Sequence, residues 1–124
     1  MGEKIRSFTS LIVWKEGHAL VIFVYKITDS FPQKEVFSLV DQMRRCAVSV
    51  TSNIAEGFSR QSKKEKLQFY FMALGSLTEL QNQLLVARDV GYLLKEDFAK
   101  IAAQTVTVSK LLNGLIKSIK SLTT

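Results

Sequence analysis

Proline is nearly absent from this chain. The 124 residues hold one, Pro32, and no glycine- or serine-rich linker, so the regular elements must be long and nothing divides the chain into two domains. Cysteine is as scarce: Cys46 stands alone, which excludes an intramolecular disulfide and gives no reason to infer an oxidising compartment. One histidine, His18, and one cysteine are too few for the usual zinc site in a single chain, although a symmetric oligomer could share ligands. A long apolar run is also missing. Leu20 to Tyr25 falls far short of the ~20 residues a membrane span needs, and Lys15, Glu16, Lys26 and Asp29 flank it. The opening Met1-Gly2-Glu3-Lys4-Ile5-Arg6 lacks the apolar core of a secretory signal, and no glycine-rich phosphate loop occurs. We therefore expect one cytoplasmic domain without metal, cofactor or membrane contact.

Apolar residues are abundant instead. They make up 47% of the chain, too many for a disordered tail, and they recur with helical period. The pattern predicts four helices, over about residues 10–29, 33–57, 63–90 and 96–122. The first stops before Phe31-Pro32, since the residue before a proline avoids the helical region; its Val21-Ile22-Phe23-Val24-Tyr25 would also suit a strand. Ser62 followed by Glu65 is a capping box that opens the third helix, and Gly91 is its C-terminal stop. The fourth carries Phe98, Ile101, Thr105, Val108, Leu112, Leu115, Ile119 and Leu122, an unbroken 3-4 alternation with one polar exception. Short connections between long helices favour antiparallel neighbours, so the expected fold is all-α, an antiparallel up-down four-helix bundle.

The second helix combines two signals. Val36, Val40, Met43, Ala47, Val50 and Ile54 form a core-facing seam, while Arg45, Ser49, Ser52 and Glu56 make a polar stripe with Asn53 beside it. Solvated faces favour Lys and Glu over Ser and Asn, which are mediocre inside helices, so the small residues suggest another backbone packing close. Arg45, Asn53 and Glu56 are expected to exchange charge-assisted hydrogen bonds with one another or with Ser76 and Glu79 of the third helix. Buried arrangements of that kind select a register more than they add stability.

Several of these residues, read in order, carry a resemblance. Val13-Trp14-Lys15, Phe31-Pro32, Arg44-Arg45 through Ser52-Asn53-Ile54-Ala55-Glu56-Gly57, Gly75-Ser76-Leu77-Thr78-Glu79-Leu80 and Gly91-Tyr92-Leu93 span about residues 11–93. Together they resemble the four-helix-bundle 23S rRNA intervening-sequence proteins. The resemblance implies an up-down bundle that assembles as a cyclic homopentamer. A related branch, the accessory protein of diversity-generating retroelements, is a basic barrel that associates with nucleic acid and reverse transcriptase. Members of the intervening-sequence branch are encoded inside ribosomal RNA insertions and their biochemical role is poorly defined. Three positions depart from the family pattern: Leu74 stands where a basic residue is common, Cys46 where alanine is usual, and Lys66 where an aromatic is frequent. The first puts one basic surface contact in doubt, which Lys66 is placed to restore in part.

Surface chemistry sets the remaining expectations. Leu20 to Tyr25 and Phe69 to Leu74 are apolar all round the helix, so each is either covered by loops or buried against another subunit. Gly75-Ser76 in mid-helix fits close helix approach, since glycine there costs about 1 kcal/mol against alanine. The net charge of +6 attracts polyanions, and a ring of copies would multiply it. Arg60, Lys63, Lys64 and Lys66, moderated by Glu65, form the densest cluster; Lys110, Lys117 and Lys120, with Asn113 between, form a second. Both sets read as nucleic-acid contacts or as solvated helix surface. No helix-turn-helix, zinc-finger or aromatic RNA-binding signature occurs, so binding to RNA or DNA would be backbone-directed and weakly specific. Catalysis has little support. His18 reads as a packing residue and Cys46 as a small hydrophobe, although neighbouring arginines could lower its pKa. Glu56 and Glu79 could face one another across two helices, but the Glu-x-x-His motifs of a di-iron site are absent. We expect a non-enzymatic homopentameric adaptor for nucleic acid or a nucleoprotein. The alternative is a structural or protein-binding oligomer whose charge serves solubility.

Overall fold

The computed structural model describes residues 7–122; Met1–Arg6, whose lack of a secretory core is noted above, lies outside them. Among the described residues the secondary structure is helical, with no strand. After a 3-10 turn at Phe8–Ser10, helix α1 runs Ile12–Thr28. Its β-branched run is helical because Val13, Gly17, Leu20, Val21, Val24 and Ile27 fall on one buried face, and that burial outweighs local propensity. A second 3-10 turn, Gln33–Glu35, leads to α2, Leu39–Ser59. The periodicity placed the start of α2 at 33, six residues too early, and Val36, assigned to the seam, is 38% exposed. The cause is local. Ser38 has φ −124° and ψ −98°, which breaks the helix, and its hydroxyl donates to Glu35 Oε1 at 2.6 Å in place of a helical cap.

Helix α3, Lys63–Asp89, opens as expected: Ser62 Oγ accepts the Glu65 N–H at 3.1 Å and bonds Glu65 Oε1 at 3.1 Å. It closes on Gly91, φ +86°, where the Tyr92 N–H reaches Ala87 O at 2.9 Å, a six-to-one bond that only a left-handed residue permits. Helix α4 is Lys95–Lys120. No helix among the described residues is long and apolar enough to cross a membrane.

Each helix packs on two others, α1 and α3 both against α2 and α4, so the four surround one core. In α4 the buried positions are Ile101, Thr105, Val108, Leu112 and then Ile116, not Leu115 and Ile119, which are half-buried, or Leu122, which is exposed. A helix turning every 3.6 residues drifts away from a strict 3.5 repeat, and by Ile116 the seam has moved one position. Thr105, the polar exception, is satisfied: it donates to Ala102 O at 2.7 Å and accepts from Gln81 Nε2 at 3.1 Å.

Close approach is reserved for two glycines. A Cβ on Gly57 would lie 2.5 Å from Cε1 of buried Tyr70, and one on Gly17 would lie 3.1 Å from Thr51 Cγ2. Gly75, to which the sequence assigned that role, has nothing within 4 Å of such an atom. Within the protomer it is simply exposed helix. Thermal or denaturant unfolding should therefore find Gly57→Ala destabilised by about 1–3 kcal/mol, because the Tyr70 ring has no room to yield. Gly75→Ala should move the other way, by about 0.5–1 kcal/mol.

A long-range contact ties the two ends of chain that meet here: the Tyr92 hydroxyl donates to Glu35 Oε2 at 2.8 Å. The Ser38 hydroxyl first, and the Tyr92 phenol second, hold the Glu35 carboxyl below its ordinary 4.5. A carboxylate with a depressed folded pKa stabilises above its unfolded value and loses that contribution as pH falls through the folded one. The difference in Tm between the native chain and Tyr92→Phe should accordingly be full at neutral pH and shrink below pH 4.5.

Candidate nucleic-acid interface

The basic clusters that lie far apart in sequence meet in space. Helix α2 ends, α3 begins and α4 ends at the same end of the bundle, where Lys63 Nζ donates to Leu122 O at 3.0 Å. Residues 56–66 and 117–122 bring six basic side chains together against two glutamates there. The opposite end, residues 26–45 and 88–100, balances seven basic side chains with six acidic ones. The excess charge is concentrated at one pole. Lys110 stands seven residues before Lys117, about 10 Å further up α4.

The six cations are not equivalent. Lys66 Nζ donates to Phe58 O at 2.9 Å and Gly57 O at 3.3 Å, closing the last carbonyls of α2, and partial burial pushes its pKa down. Lys66 is thus a helix cap, and Lys63 is held by α4. Arg60 pairs with Glu56 at 3.0 Å and lies 4.7 Å over the Phe69 ring; its buried Nε has no hydrogen-bond partner among the described residues. Lys120 sits 5.2 Å over Phe71. Lys64 and Lys117 are exposed without an ion pair among the described residues, as is Lys110, so these three and Lys120 are free to meet phosphate.

The polar stripe of α2 divides. Ser49 Oγ and Ser76 Oγ lie 2.8 Å apart across the α2–α3 groove, Asn53 Nδ2 donates to Ser49 O and Oγ at 2.9 and 3.1 Å, and Cys46 Sγ donates to Ser76 O at 3.1 Å. Arg45 and Glu56, expected in the same network, instead pair within α2, with Asp41 and Arg60 respectively. Such exposed i,i+4 pairs contribute little. Ser52 is exposed on the outer side. Glu79 lies beside Cys46, ten residues and about 15 Å along α2 from Glu56, so the two carboxylates do not face one another. Asp41 was missed because a lone acid near a helix start reads as a dipole partner. The groove beside these residues is a cavity of ≈ 380 Å³ lined by Arg45, Cys46, Ser49, Ser76 and Glu79 among others.

Two groups with reactive potential are occupied by packing. His18 stacks on Trp14 with centroids 4.7 Å apart and planes 16° apart. Burial, aided by Glu79, pushes the Cys46 thiol up to about 12, against the lowering its arginine neighbours suggested. Alkylation by iodoacetamide at mildly alkaline pH should consequently be slow in the folded protein and reach the rate of a free thiol once urea unfolds it. A fast native reaction would contradict the buried thiol.

The apolar segments are not covered by loops. Phe71 and Met72 in α3 are 47% and 50% exposed, and Ile22 and Tyr25 in α1 are also open.

Comparison with known proteins agrees with this geometry. A crystal structure of a protein of unknown function from the S23 ribosomal protein family of Bacteroides thetaiotaomicron superposes with a TM-score of 0.78 at 21% sequence identity, covering 86% of this chain and 96% of that one. No curated protein matches the chain. The model of the 23S rRNA-intervening sequence protein family matches residues 9–114. The chain is a member of that family.

Proposed function

We propose that the protein is a non-enzymatic adaptor, an antiparallel up-down bundle that associates with RNA or DNA through phosphate contacts at its basic pole. The observation that carries this reading is the convergence of Arg60, Lys64, Lys117 and Lys120 from three helix ends onto a surface with few carboxylates. Rings under Arg60 and Lys120 hold those cations in place, and Phe71 leaves an apolar face beside them. A protonated thiol and a stacked histidine offer no nucleophile, which argues against catalysis. The open apolar side chains of α1 and α3 favour a homo-oligomer, and the family resemblance favours a cyclic homopentamer that would repeat the basic pole around a ring.

Anisotropy with a short unstructured RNA tests the adaptor. The affinity should fall as salt rises, with a slope of about −0.7 for each phosphate neutralised. Lys64→Glu combined with Lys117→Glu should weaken binding across sequences and flatten that slope by about 1 for each cation removed. Affinity indifferent to both salt and charge reversal would favour the protein-binding oligomer instead. Light scattering of the same samples reads the assembly directly.

A further inference from the structure

A separate cavity lies at the other end of the bundle, between the start of α2 and the end of α3. Its volume is ≈ 350 Å³, within the range of small-ligand sites, and Leu39, Val86 and Val90 give it apolar walls. Two acceptors line it. The Glu35 carboxylate is positioned by Ser38 and Tyr92 and has no ion pair among the described residues. Gln83 is 8% exposed, and its Oε1 is buried with no hydrogen-bond partner. One negative charge and one unmet carbonyl in an otherwise apolar cleft select against anions and against purely apolar ligands, which would leave both groups desolvated.

We propose that this cavity binds an aliphatic cation: an alkyl stem against Leu39, Val86 and Val90, ending in an ammonium or guanidinium group that donates to Glu35 and to Gln83 Oε1. Free amines and the side chain of an arginine or lysine share that chemistry. The site is independent of the basic pole, which faces the opposite way.

Amide NMR titration of the full chain with agmatine, and with a blocked Gly-Arg-Gly peptide, tests the proposal. Saturable shifts centred on residues 35–42 and 83–92 are expected. Saturation by agmatine identifies a free amine as sufficient, and saturation by the peptide alone identifies a displayed side chain. Glu35→Gln, which keeps the shape and removes the charge, should weaken binding about tenfold or more. Gln83→Leu should weaken it comparably while leaving Tm unchanged or higher, an outcome that separates ligand contact from structural damage. Absence of saturable shifts at concentrations of about 10 mM, equal binding of butyrate, or affinities unaltered in both variants would overturn the proposal.

Discussion

The missing side chain at Gly57 is the constraint on which the rest depends. Tyr70, among the largest fully buried side chains, lies flat against α2 because nothing projects from that position. The contact sets how close α2 and α3 come and in what register, and Ser49 meeting Ser76 two turns away follows from it. Close helices leave room for only a three-residue connection, Arg60 to Ser62, and that tightness leaves the last carbonyls of α2 to the ammonium of Lys66. A glycine in one helix thus decides where a lysine of the next must go.

The same turn concentrates charge. Once Lys63 and Lys66 are occupied by backbone oxygens, the surface left at that pole consists of cations resting on rings or open to solvent. Ring contacts orient a cation without neutralising it, whereas carboxylate pairs consume its charge. At the opposite pole the carboxylates are more numerous, and one of them, Glu35, is fixed by two hydroxyls rather than by a cation. The protomer is therefore electrically asymmetric along its axis. That asymmetry gives a polyanion one preferred approach and an aliphatic cation another.

Much of the architecture was legible in the sequence, since helices advertise themselves through local rules. Ser62 with Glu65, Phe31-Pro32 and Gly91 marked boundaries because each acts on its own backbone neighbours. The start of α2 was misread because Val36 and Phe37 continue the apolar rhythm through a turn that Ser38 breaks by a side-chain bond. In α4, Leu115 looked better than Ile116 because a heptad pattern ignores the drift of a straight helix. The site was less visible. Lys63 and Lys66 read as free cations, since their acceptors are carbonyl oxygens that sequence does not locate in space. Gly75 looked like a close-approach glycine and Gly57 like a family landmark, and only the facing Tyr70 reverses their roles. Glu35 and Tyr92, far apart along the chain, carry no local signal at all.

Ultraviolet cross-linking of the protein to a short uniform RNA, followed by peptide mass spectrometry, tests the central claim most directly. The account places the cross-linked peptides within residues 58–72 and 110–122, around Phe71 and its basic neighbours. Cross-links confined to residues 26–45 or 88–100, or none above a non-binding control, would contradict a basic pole that meets nucleic acid.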